Sequence, residues 1–350
     1  MHGGQPLGAE RSGVLAAGHF IVDRLVLIDR YPPENTLALI EGETVSSGGC
    51  PFTVLKDLAL FGATFGLAAI GALGSDRDAQ WIRAECAAHG IDTRGLTQID
   101  GATTSYTYAM TVRATGRRTF FHQSGANALL APEHFDFTAS NARIFVLGYL
   151  TLLESLDVWA ASGVTAAAQV LARARTAGLT TVVDLVSAPN PDYRAIVWSA
   201  LPHIDHLLLN ECEAALLLSR PVDAQPGDLL SAAHEIAAGG VGRSVMIHCE
   251  DGIVGLDCET GQHVVQGAVA LPRAFVAGAT GAGDALTAGY VWALHAGEPL
   301  AARLTTGVCA AAACLGDASA SGGIRSMPAC LELGERFGFR PFPAPAQVTR

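Results

Sequence analysis

Through the middle of this 350-residue chain, short apolar segments alternate with helix-length ones. Residues 144–150 are an apolar run and 163–177 an alanine-rich helical stretch, which Gly178 stops before the next apolar run, 179–185. Helix 192–200, strand 204–209, helices 211–219 and 228–238, and strand 244–249 continue the pattern. Strands joined by helix-length crossovers run parallel and need cover on both faces, so this spacing predicts a layered, mostly parallel sheet. Toward the N-terminus the same reading gives strand 13–18, helix 51–61, strand 64–71, a turn at 71–76 and helix 77–89. Segments 252–257 and 262–266 suggest an antiparallel excursion, and helices 284–296 and 299–315 close the core. Half of the residues are hydrophobic, which at this length allows one large core. Residues 1–12 read as a disordered lead, and no internal repeat is evident.

Two segments break the alternation. Residues 19–47 and 103–122 are strand-rich, and the second contains the turn Thr115-Gly116-Arg117, a hairpin signal. They are expected to pair into a small sheet over the strand ends, where open α/β sheets bind ligands. Tyr106 and Tyr108 share one face of their strand and either cover a ligand or pack the flap. Arg117, Arg118 and His122 either approach a ligand under the flap, or face solvent or a second subunit.

Charge and cysteine usage narrow the function. The formal net charge is −11 and no long basic run exists, which argues against a nucleic-acid partner. Lys56 is the single lysine and lies in neither a phosphate-loop nor a kinase β3 context, which removes mechanisms that need such a lysine. The eight cysteines form no C-x-x-C pair, and several sit in apolar surroundings, as expected of reduced buried thiols in a cytoplasmic protein. Segment 58–74 is apolar but glycine-rich and too short to span a membrane; it reads as helix end, turn and strand, and no membrane partner is expected. Residues 13–25 lack G-x-G-x-x-G, which speaks against a nicotinamide-dependent dehydrogenase.

The segment most directly tied to chemistry is 276–286, VAGATGAGDAL, where an apolar strand region is expected to give way to the helix. Gly281, Ala282 and Gly283 allow an anion to approach backbone N–H groups at a helix N-terminus, and Thr280 can shape the turn. Asp284 is either a helix cap or a base that takes a proton from an incoming hydroxyl. Asn210 and Glu213 follow an apolar strand at a strand–helix junction, where they read as a helix cap and a solvated acid. Asp23 follows the first strand, and Gly48-Gly49 opens the helix 51–61.

These motifs together resemble the ribokinase-like, PfkB-type carbohydrate kinase family. The match includes GAGD at 281–284, GGCPFTVLKDLALFG at 48–62, GALGSD at 71–76, Gly125-Ala126-Asn127 and Asn210-Glu211-Cys212-Glu213, over about residues 13–328. The resemblance implies a three-layer α/β/α domain with a β-sheet lid (segments 19–47 and 103–122), leaving 329–350 as a C-terminal extension. It implies ATP and Mg²⁺ as cofactors and a small sugar, polyol or nucleoside as substrate. Asp284 is then the general base and 281–283 the anion hole, with Thr280, Gly281, Gly283, Asn210 and Glu213 on the nucleotide side. Asn210 and Glu213 would organise Mg²⁺, largely through water. Asp23, Gly48, Gly49, Thr53 and Asn127 would bind the substrate. The unpaired edges of such an appendage also allow a homodimer through the lid, by flap swap or by β-sheet pairing.

The pattern also departs from the family. Gly278 stands where an acid associated with monovalent-cation support is common, so the monovalent cation stays open. Thr53 replaces a sugar-binding Asn, no acid occurs in 147–150, and Cys249 replaces a glycine. The substrate therefore need not be ribose, and the alternative is a catalytically weak or inactive sugar- or nucleotide-binding relative.

Overall fold

The computed structural model describes residues 11–138, 140–188 and 190–342. The expected N-terminal lead, apart from Arg11 and Ser12, lies outside these residues. The central sheet has nine strands. Named in chain order, its strands are β1 (Val14–Gly18), β4 (Leu67–Leu73), β5 (Ile91–Gln98), β8 (Ile144–Gly148), β9 (Thr180–Asp184), β10 (His206–Asn210), β11 (Ser244–Cys249), β12 (Gly252–Asp257) and β13 (His263–Gly267). Their spatial order is β13-β12-β11-β10-β9-β8-β1-β4-β5; all pairs are parallel except β11–β12 and β12–β13.

Alternate side chains of one strand enter two different cores, as the period of two requires. Leu15 and Ala17 of β1, with Phe145 and Leu147 of β8, face one core. Val14, Ala16, Ile144 and Val146 face the other. The first core is closed by α3 (Ala166–Thr176), α4 (Tyr193–Ala200), α5 (Glu211–Leu218) and α6 (Pro226–Ala237). The second is closed by α1 (Cys50–Phe61), α2 (Arg77–Ala88), α7 (Ala282–His295), α8 (Leu300–Cys314) and α9 (Met327–Phe337). The result is the three-layer α/β/α architecture. Local signals set the helix ends: Asp76 caps α2 through Ala79 N–H at 2.9 Å, and Gly62 ends α1 at φ 94°.

A separate four-stranded sheet, the lid, has the order β3-β2-β6-β7, from β2 (Ile21–Ile28), β3 (Ile40–Gly48), β6 (Tyr106–Val112) and β7 (Arg118–Gln123). The outer pairs are antiparallel and β2–β6 is parallel. Chain leaves the C-terminal end of β1 through His19 and Phe20 directly into β2, which sets the lid over the sheet's ligand-binding end.

Several expectations need correction. Residues 36–39 are not strand; β3 begins at Ile40. β8 ends at Gly148, two residues before the end of its apolar run. Segment 273–281 is a 3₁₀ turn, Arg273–Phe275, followed by irregular chain rather than strand. The described part of the supposed C-terminal extension is integral: α9 packs in the second core, and Phe339 bridges Val269 beside β13. Strand β5 was not anticipated, and neither was α9. All eight cysteines are free, five of them buried, and no helix among the described residues is long and apolar enough to cross a membrane.

Candidate active site

The irregular segment before α7 brings the helix N-terminus to the C-terminal edge of the sheet. Gly281 takes φ 78°, and a Cβ there would meet the Ala320 carbonyl at 2.7 Å, so glycine is required on two counts. Ala282 N–H reaches Ala279 O only at 3.4 Å, and the N–H groups of Gly283 and Asp284 have no main-chain acceptor. Nothing lies within 4 Å of where a Gly283 Cβ would be. The turn therefore presents unused donors to open space, as an anion cradle needs.

Asp284, the third residue of α7, is buried and projects into a cavity of about 230 Å³ lined also by Tyr149, Asp184, Asn210, Glu213, Gly281, Gly283 and His248. Tyr149 Oη donates to Asp284 Oδ1 at 2.7 Å. Burial pushes the Asp284 carboxyl up to about 6, while the Tyr149 hydroxyl bonded to it opposes the rise. Burial, then Asp284 itself, raises the Tyr149 phenol far above its usual range, so it remains a donor. A carboxylate that ionises just below neutrality, facing a cavity beside free N–H groups, suits a general base.

Asp184 ends β9 and accepts from Thr287 Oγ1 at 2.9 Å. Burial, then the charges of Asp284 and Glu213, hold its carboxyl well above the ordinary value. Glu213 is buried, and burial raises its carboxyl as well. It closes a capping box with Asn210: Asn210 N–H and Nδ2 donate to it at 2.8 Å each, Ser187 Oγ donates at 3.0 Å, and Asn210 Oδ1 accepts Glu213 N–H at 2.9 Å. The cap is real, but the acid is not solvated. Three carboxylates thus line one cavity with no Lys or Arg among its lining residues, a donor set suited to a divalent, oxygen-preferring cation. Cys50 Sγ lies within 4.8 Å of the Asp184 and Asp284 oxygens, but burial keeps it a thiol, which is a poor ligand.

A second cavity, about 490 Å³, meets the other side of the same turn. Asn210, His248 and Gly283 line both cavities, and Leu271, Val276, Ala282, Leu286, Val308 and Arg340 continue the larger wall. Thr280, expected on the nucleotide side, is not among the residues lining either cavity; its carbonyl accepts the Cys314 thiol at 3.2 Å, and its hydroxyl accepts from the Arg118 guanidinium.

Beneath the lid, Asp23 occupies the place a Cβ of Gly48 would take, so only glycine fits there. Burial raises the Asp23 carboxyl to about 7, with Thr107 opposing and Asp284 adding to the rise. Gly49 turns at φ 84° against the His19 carbonyl. Thr53 and Ser47 are buried with unsatisfied hydroxyls. Asn127, expected on the substrate side, is fully buried, and its carboxamide bonds the Phe20 main chain at 3.3–3.4 Å, which braces the β1–β2 corner. His19 is likewise structural. Its Nδ1 accepts Tyr149 N–H at 3.1 Å, leaving Nε2–H to donate to Leu152 O at 3.1 Å, and burial lowers its pKa to about 4. Lys56 is bound to Glu85 at 2.8 Å.

Sequence reasoning missed Tyr149, Asp184, Cys50 and Asp57. A polar oxygen-bearing side chain ending an apolar strand was a legible sign for Asp184, the same sign that marked Asn210. Asp57 is fully buried behind the turn, has no bonded partner for either oxygen, and burial keeps it well above the usual carboxylate range; Ser321 is a polar neighbour without a formed hydrogen bond.

Three α/β/α layers, a β-sheet lid and a carboxylate-lined cavity at the strand ends together define a ribokinase-like kinase fold. The sequence matches the pfkB family carbohydrate kinase pattern over residues 14–327, and the chain belongs to that family. Its structure is similar to Arabidopsis thaliana ribokinase complexed with ribose and ATP (TM-score 0.73, 20% identity, covering 92% of this chain and 98% of that one). It is also similar to a putative ribokinase II from E. coli in complex with ATP and Mg²⁺ (0.73, 17%, 93% and 99%). Burkholderia thailandensis nucleoside kinase in complex with inosine is a third (0.73, 17%, 94% and 100%). No curated protein sequence matches the chain.

Proposed function

We propose that this protein transfers the terminal phosphoryl group of ATP to a hydroxyl of a small sugar, polyol or nucleoside. The observation that carries the reading is Asp284: a buried carboxylate raised to about 6, on the first turn of α7 beside unsatisfied N–H groups, facing a cavity. The acceptor hydroxyl gives its proton to Asp284 as its oxygen bonds to phosphorus and the bond to the departing ADP breaks. The N–H groups at 281–284 stabilise charge on the transferring oxygens.

Structural fit supports the partners. The larger cavity pairs apolar walls with polar groups at the turn, as a nucleotide site requires. Asp184, Glu213 and Asn210 would hold Mg²⁺, in part through water because Glu213 and Asn210 are already engaged with each other. Bound Mg²⁺ supplies positive charge to the phosphates. On the acceptor side, Asp23 and the unsatisfied hydroxyls of Ser47 and Thr53 suit a polyhydroxylated ligand.

A screen of pentoses, hexoses, polyols and nucleosides with ATP and Mg²⁺, read by product mass, tests the reading. Asp284→Asn is expected to cut turnover by roughly 10²–10⁴-fold while keeping ligand binding. Ligand binding without product across the screen would establish the non-catalytic alternative instead.

A further inference from the structure

Arg118 lies on β7 of the lid, yet its guanidinium donates to the Thr280 hydroxyl on the transfer turn, 162 residues away. It needs the glycine at 278: a Cβ there would stand 2.7 Å from Arg118 Nη2. Among the described residues no carboxylate forms an ion pair with it. Burial accordingly lowers its pKa, and the Cys314 thiol is the sole group opposing that fall. A guanidinium has five N–H donors and one planar fork suited to phosphate oxygens. Here the fork is held against the positive end of α7, an unfavourable place for a cation unless an anion lies between them.

We propose that Arg118 is a further catalytic residue, a lid-borne guanidinium that binds the terminal phosphoryl oxygens of the nucleotide as they pass to the acceptor. This rests on the phosphotransferase reading above. During the step, the acceptor oxygen bonds to phosphorus, the bond to the bridging oxygen of ADP breaks, and the acceptor proton goes to Asp284. Arg118 changes no bond; its N–H groups hold charge on the equatorial oxygens. The lid would thereby couple its closure over the acceptor to completion of the phosphate site.

The test compares ADP with a non-hydrolysable ATP analogue, each with Mg²⁺, by calorimetry on the full chain. Arg118→Ala is expected to weaken the analogue by about 10- to 100-fold and leave ADP within about twofold. Arg118→Lys, which keeps the charge and loses the fork, should recover part of the loss. Gly278→Ala, whose methyl would stand 2.7 Å from Arg118 Nη2 and 3.0 Å from the Ala318 Cα, should weaken the analogue selectively in the wild-type background and by much less in Arg118→Ala. This cycle keeps the proposal falsifiable if Arg118→Ala lowers the unfolding midpoint. Equal weakening of both nucleotides would make Arg118 a strut for the lid, and no weakening would place it outside the phosphate site; either overturns the proposal and leaves the kinase reading standing. Failure of the wild-type chain to bind either nucleotide overturns both. Selective loss in a protein that phosphorylates no acceptor supports the Arg118 contact and sinks the kinase reading.

Discussion

Asp284 is shaped as much by its neighbours as by its own chemistry. It must be ionised to accept a proton, so kcat/KM should rise with pH along a limb near 6, where burial has moved its carboxyl. The Tyr149 donor opposes that upward shift, so Tyr149→Phe should move the limb to higher pH as well as slow the reaction. An unchanged limb in this variant would show that another group controls it. The same shift has a stability consequence. The unfolded carboxyl ionises near 4 and the folded one near 6, so this residue's contribution is present below about pH 4 and lost as pH rises toward 6. Asp284→Asn should therefore be more stable than the wild type at neutral pH, by on the order of 1–3 kcal/mol, with the difference shrinking near pH 4. Denaturant titrations at the two pH values measure this directly. Loss of turnover together with gain of stability would identify a functional residue; loss of both would mean that Asp284 mainly supports the fold.

At the scale of elements, a polar stack ties the lid to α2. Arg24 of β2 lies 5.4 Å from the Tyr106 ring centroid and 5.6 Å from that of Tyr108, and bonds Asp78 of α2 at 3.0 Å. The tyrosine pair therefore packs the flap. Asp78→Ala removes a partly exposed ion pair worth about 1 kcal/mol or less, so the fold should survive. Steady-state kinetics should show the acceptor KM raised a few fold with kcat little changed, as expected when only the resting position of the lid is loosened. Most elements were legible because their apolar runs alternate at strand and helix lengths. β5 was not, because IDTRGLTQ is an edge strand with few apolar residues and shows no period. The turn 281–284 and the pair Asn210 and Glu213 could be read locally. The Tyr149–Asp284 bond joins residues 135 apart, and the Arg118–Thr280 bond joins residues 162 apart; no local pattern contains either. Gly278 could be seen as a departure, but its meaning lies in the guanidinium that occupies the space its missing side chain leaves.

For the molecule as a whole, the lid has two jobs in conflict. It must cover a polar site on one face, and it has too few strands to bury both of its faces. β3 and β7 are its edges, so both carry unpaired main-chain groups. Ile40 is 63% exposed, Val45 45%, Phe120 60% and Phe121 49%, with Leu37 and Leu39 beside them at 68% and 61%. Apolar side chains concentrated on a small sheet mark an interaction surface more than a solvated one. A second copy of the chain is the occupant we propose, because a two-fold axis would set the unpaired edge of one lid against the same edge of the other and cover exposed apolar side chains on both. The net charge of −11 opposes self-association at long range, so dimerisation should strengthen with salt until apolar contact dominates. Sedimentation velocity at micromolar concentration should show a dimer. Phe120→Asp, placing a charge in that contact, should give a folded monomer with its unfolding midpoint little changed. If the lids of two copies brace one another, the monomer should bind the acceptor more weakly and keep its affinity for ADP. A wild-type chain that sediments as a monomer at every concentration and salt would refute lid pairing.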